Sequence, residues 1–229
     1  MQKLAPKPLN EEYRTRIIKA IKTLNNSENE STDDIRNAVS YLEEKGHLRK
    51  YFLMGQWEQA AVLFIDGGVP KKWMQVAQRR QQEFPTAKSF EKWPEQDYTM
   101  YNLMLSIIVW LTDSSLAASQ RSAELGLVSF AVDELNALLA IEGWSMRRDI
   151  QVEQLTMLLF NIMQHYTPAV PQLREKGGVQ LFSSLLQKAE YAIGTEFRVK
   201  IKAKFNIHVV VIAVKVFFKR LVWFSFHIS

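Results

Sequence analysis

The sequence predicts an all-α fold built from helices packed in series, and three observations carry that prediction. Apolar residues recur at helical spacing through most of the first 190 positions. Only 9 glycines occur in 229 residues, too few for a many-turned β-sandwich. One pattern, a short helix, a glycine corner and a second apolar run, is written more than once along the chain.

Taken in order, Asn10 can cap a helix from Glu11 to about Leu24, with acidic residues in its first turn and Tyr13, Ile17, Ile18, Ile21 and Leu24 along one face. The polar loop NNSENES follows. Ser31 and Asp34 then stand at capping-box spacing before a stripe of Ile35, Val39 and Leu42 that ends at Gly46. Leu48 to Ile65 is apolar over most of its circumference, interrupted at Gly55, and so predicts a buried helix. DGGVPKKWMQVAQRRQQEF supplies a double-glycine corner and another helix, and the segment from Pro85 to Asp97 reads as a loop. Tyr98 to Leu111 is strongly apolar. Two helices meeting near Gly126 come next, then SMRRDIQVEQLTMLLFNIMQHY, a proline-interrupted turn TPAVPQ, and LREKGGVQLFSSLLQ.

The last of these segments aligns with an earlier one. At a spacing of 51 residues, Leu158 falls on Ile107, Leu159 on Ile108, Phe160 on Val109, Ile162 on Leu111, Gly177 on Gly126 and Val179 on Val128. A poorer copy is centred on Gly67, 59 residues before Gly126. A long apolar helix cannot shelter its surface alone, whereas stacked copies give each helix two neighbours. At these residues the chain resembles the armadillo repeat family: LREKGGVQLFSSLL is similar to that family's short-helix, double-glycine, second-helix segment, and LLFNIM to its third helix. The resemblance implies a right-handed α-solenoid. GQWEQAAVLF, at Gly55 to Phe64, is also similar to the first helix of a tetratricopeptide repeat, although no 34-residue echo of it follows; a HEAT-like stack is a further member of the same architecture.

The armadillo resemblance further implies a ligand surface on the third helices, where an asparagine bonds the backbone of an extended peptide. That position is Asn161 here; Trp110 is its counterpart one repeat earlier, with Asp113 and Gln164 further along the same faces. The tryptophans that nuclear-import adaptors place one turn before those asparagines are replaced by Met157 and Ser106, so the resemblance gives no support for basic import cargo.

Composition narrows the chemistry. Cys is 0, which removes thiolate nucleophiles and cysteine-bound zinc and suggests a reducing, cytoplasmic setting. The histidines, at 47, 165, 208 and 227, have no partner at helical spacing, and DGG and KGG lack the strand and the Lys-Ser/Thr of a phosphate loop. No enzyme activity, metal or cofactor is therefore expected. Lys71, Lys72, Arg79 and Arg80 flank Trp73 on one helix and read equally as a contact for phosphates or an acidic peptide and as a solvated face.

The net charge of +5 is unevenly spread. Seven of the 29 basic residues fall after Phe197 with no acidic one, while the other 22 face 24 Asp and Glu, leaving a body too nearly neutral to bind nucleic acid. VKIKAKFNIHV alternates like a strand, and the longest charge-free run in the tail, Phe205 to Val214, is too short for a membrane span. The chain therefore divides into a helical repeat domain, 1–196, and a basic apolar tail, 197–229, that stands apart from the fold; any membrane contact belongs to the tail. These readings lead to a protein or peptide partner held on a helical surface by a non-catalytic scaffold. The alternatives are a regulatory helical part of a larger enzyme or signalling protein, and membrane association through the tail.

Overall fold

The computed structural model describes residues 9–26, 33, 34, 37, 54–141 and 145–185, and these are all-α, with no strand among them. The helices are α1 (Glu11–Asn25), α2 (Met54–Asp66), α3 (Val69–Glu83), the single turn α4 (Ala87–Phe90), α5 (Glu95–Ser114), α6 (Leu116–Glu124), α7 (Leu127–Leu139) and α8 (Met146–His165). A 3₁₀ turn, Thr167–Ala169, then leads into α9 (Val170–Glu175), and residues 178–185 form a last helical stretch, α10. The stripe of Ile35, Val39 and Leu42, the start of the Leu48–Ile65 run and the whole tail lie outside the described residues.

Local chemistry accounts for the helix ends. The Asn10 side chain accepts from the Glu12 amide, with Glu11 and Glu12 in the positive first turn of α1. Ser115 and Ser145 cap α6 and α8 in the same way, accepting from the amides of Ala118 and Arg148. Among the described residues, three glycines turn the chain with positive φ: Gly68 (97°), Gly126 (82°) and Gly177 (74°). The left-handed corner after α2 is thus made by Gly68 and not by Gly67, on which the repeat was centred. Gly67 serves a close approach, since a Cβ there would lie 2.7 Å from Ile21 Cδ1 and 2.9 Å from the Leu63 carbonyl oxygen. Gly178 has the same duty beside Leu173.

Two other expectations are corrected. The loop expected over Pro85 to Asp97 contains α4 and the first residues of α5, and it drives Phe90 and Trp93 into the core. Pro94 tolerates the non-helical position before Glu95, so α5 starts three residues earlier than Tyr98. TPAVPQ is likewise helical over most of its length, because Pro168 and Pro171 occupy first-turn positions where no amide hydrogen is needed.

Buried apolar side chains from Ile17 to Leu185 form one cluster. Within it, counterparts pack on counterparts: α6 on α2, α7 on α3 and α8 on α5. Hydrogen bonds record the same spacing, linking Arg121 to Asp66 across 55 residues, Arg80 to Glu134 across 54 and Asn161 to Val109 across 52. Each fully buried Leu, Ile or Phe contributes about 2 kcal/mol, so this shared core, more than helix propensity, orders the long apolar helices α5 and α8.

Candidate functional site

The two 20-residue helices, α5 and α8, lie side by side in a fixed register. Asn161 Nδ2 donates to the Val109 carbonyl (2.9 Å) and His165 Nε2 donates to the Asp113 carbonyl (3.0 Å), both across 52 residues. Between them and the N-termini, Gln154 Nε2 donates to Ser106 Oγ (2.7 Å). Among the residues left partly or fully exposed, Thr99, Asn102, Ser106, Trp110 and Asp113 run along one side of α5, and Ile150, Glu153, Met157, Phe160 and Gln164 along one side of α8. Helical spacing of three and four residues explains why they align.

The residues implied by the armadillo resemblance separate into two groups here. Asp113 and Gln164 are exposed and Trp110 is half-buried. Trp110 stacks edge-on against Trp57 with ring centroids 4.9 Å apart, and Trp57 Nε1 donates to the Ser114 carbonyl (3.2 Å), so part of the indole is committed to joining α5 and α2. Asn161 is only 1% exposed. Its amide is spent on the backbone of α5 instead of being presented to a ligand, because an amide in the seam between two packed helices must find a partner there.

A second cluster escaped the sequence reading. Glu134 on α7, 0% exposed, receives Arg80 Nη2 (2.6 Å) and the Tyr101 hydroxyl (3.1 Å) on one oxygen and the Gln81 amide on the other. Arg80 is 1% exposed and its guanidinium also lies over the Phe90 ring, 5.7 Å from the centroid. Burial, reinforced by the Glu134 charge, holds the Tyr101 phenol well above its ordinary range. Trp73 is fully buried nearby, 5.7 Å from Tyr101 and 5.2 Å from Phe130. The basic surface expected around Trp73 is therefore reduced: Trp73 and Arg80 are core, and Arg79 pairs with Asp97 (3.4 Å). Every oxygen of Glu134 is occupied by protein donors, which makes this cluster a clamp joining α3, α5 and α7 and not a site for proton transfer. The signal was present in the sequence, since Arg80 continues the apolar stripe of Trp73, Val76 and Ala77, and Glu134 that of Leu127, Ala131 and Leu138.

A shallow groove of about 450 Å³ lies between α2 and α6, lined by Glu58, Gln59, Val62, Leu63, Asp66 and Ala117. Its carboxylates have structural partners. Glu58 Oε2 accepts from the Ala117 amide (2.9 Å) and from the Ser115 hydroxyl, and Asp66 Oδ1 accepts from Arg121 Nε (2.5 Å). Among the described residues there is no group of three or more His, Cys, Asp or Glu placed to hold a metal, and no helix is long and apolar enough to cross a membrane. Comparison with protein families, with curated proteins and with solved structures finds no match.

Proposed function

We propose that the chain is an armadillo-like α-solenoid acting as a non-catalytic interaction scaffold, with a peptide or partner domain held on the joint face of α5 and α8. The observation that carries this reading is the register of those two helices, whose exposed residues line up into one face mixing apolar groups, Ile150, Met157 and Trp110, with polar ones, Asn102, Ser106 and Gln164. Such a mixture suits an extended ligand, which needs apolar contact for affinity and polar groups for orientation. The left-handed glycines at the start of α3, α7 and α10 and the packing of α6, α7 and α8 on α2, α3 and α5 support serial stacking. Asn161 belongs to the scaffold in this reading, and Trp110, Asp113 and Gln164 remain its contact residues.

Cross-linking from a photoreactive amino acid placed at Gln164 or at Ser106 of the full chain tests the proposal. Capture of one partner from both positions, lost when Trp110→Ala or Met157→Ala is introduced into a folded protein, is the expected outcome. Capture that is indifferent to both substitutions removes this face from consideration.

A further inference from the structure

The groove between α2 and α6 is apolar along its floor and acidic at both ends. Val62, Leu63 and Ala117 supply the floor, and Leu116, 56% exposed, follows on from Ala117 at one end. Half-exposed apolar side chains gathered in one groove gain from being covered. The bonds already described use one oxygen of Glu58 and one of Asp66, and the partners of Glu58, an amide and a hydroxyl, are neutral. Arg121 is shared between Asp66 and Glu124, whose Oε2 accepts from Nη1 (3.0 Å), so two carboxylates divide one guanidinium and that end also keeps a negative charge.

The chain itself leads into this groove. The Leu9 amide donates to Gln59 Oε1 (3.1 Å), and Gln59 is one of the lining residues. The segment before Leu9, MQKLAPKP, lies outside the described residues; it carries Lys3 and Lys7, no acidic residue, and the apolar Met1, Leu4, Pro6 and Pro8. Pro6 and Pro8 bias Ala5 and Lys7 towards extended backbone, which lowers the entropy lost on docking. The spacings agree as well. Lys3 and Lys7 stand about 13–14 Å apart in an extended chain, and Glu58 and Asp66, eight residues apart on α2, about 12 Å. A segment that leaves Gln59 and runs towards Asp66 therefore brings Lys7 to Glu58 and Lys3 to Asp66, with Leu4 and Pro6 over the apolar floor.

We propose that residues 1–8 fold back along the α2–α6 groove as an intramolecular strap, with Leu4 seated on Val62 and Leu63 and the two lysines meeting the carboxylates at its ends. The groove shares no lining residue with the α5–α8 face, so this inference stands or falls apart from the proposed ligand surface.

The test uses the absence of native cysteine from the full chain. Leu4→Cys is combined with Val62→Cys in the groove or with Thr15→Cys, an exposed position on α1 within similar tether reach of Leu9, and disulfide formation in a glutathione buffer is timed by mass spectrometry. The expected result is an intramolecular disulfide to position 62 that forms about tenfold faster than the one to position 15, because docking raises the local concentration of the two thiols. Lys3→Glu with Lys7→Glu, or salt at about 0.5 M, should remove most of that preference. Ala117→Cys repeats the comparison from the α6 wall should Val62→Cys disturb folding. Equal rates to positions 62 and 15 overturn the strap. A disulfide between two molecules, forming at a rate that rises with protein concentration, also overturns it and gives the groove to a second copy.

Discussion

Breaking the buried ion pair between Arg80 and Glu134 should destabilise the fold asymmetrically, and the asymmetry follows from what each charge keeps. When Arg80→Met removes the guanidinium, Glu134 still receives the Tyr101 hydroxyl and the Gln81 amide, so the stranded carboxylate is partly compensated. When Glu134→Gln removes the carboxylate, Arg80 remains a full charge at 1% exposure with the Phe90 ring beneath it and only a neutral amide opposite. Removing one partner of a buried pair costs about 3–5 kcal/mol. Arg80→Met belongs near the lower figure and Glu134→Gln near the upper, or roughly 9 and 15 °C in Tm for a chain of this size. The double substitution eliminates both charges while Gln at 134 keeps an acceptor for the Tyr101 hydroxyl. It should lie within about 2 kcal/mol of the wild type, for a coupling of several kcal/mol. Urea unfolding followed by far-ultraviolet circular dichroism, with the slope held in common, reads all four proteins. Additive single effects, or a cost below about 1 kcal/mol for Glu134→Gln, would refute the reasoning.

Other consequences can be checked in the same assay. Gly126→Ala meets no atom within 4 Å and is penalised only by its φ of 82°, by about 1 kcal/mol, whereas Gly178→Ala places a Cβ 2.4 Å from Leu173 and 2.9 Å from its carbonyl oxygen and should cost more; equal losses would contradict this division of roles. Asn161→Ala should lower stability by about 1–3 kcal/mol through the Val109 carbonyl and the cavity it opens, while Gln164→Ala should leave the urea midpoint unchanged. Because the folded-state pKa of Tyr101 lies above that of the unfolded phenol, its contribution is complete below the ordinary tyrosine range, near 10, and is lost as pH rises from there towards the folded value. Tyr101→Phe should flatten the alkaline fall in stability, and an unchanged slope would exclude Tyr101 as its source. Ser145→Ala removes the cap of α8 and should cost about 1 kcal/mol, seen as faster amide exchange in the first turn of that helix.

The sequence by itself determined that the described body is helical, where most helices run and which faces they bury. Those properties depend on near neighbours: Asn10 beside Glu11 and Glu12, the stripe of Ile17, Ile21 and Leu24, and the glycines at the corners. It also held the 51-residue echo between α5 and α8, whose matching apolar positions enter the same core. Pairing across the fold was decided only by tertiary structure. Arg80 looks like a solvated cation until α7 brings Glu134 against it, and Asn161 looks like a ligand group until α5 offers it a backbone carbonyl. Propensity and periodicity are properties of a single segment, whereas the environment of a polar side chain is fixed by whichever helix arrives from some fifty residues away.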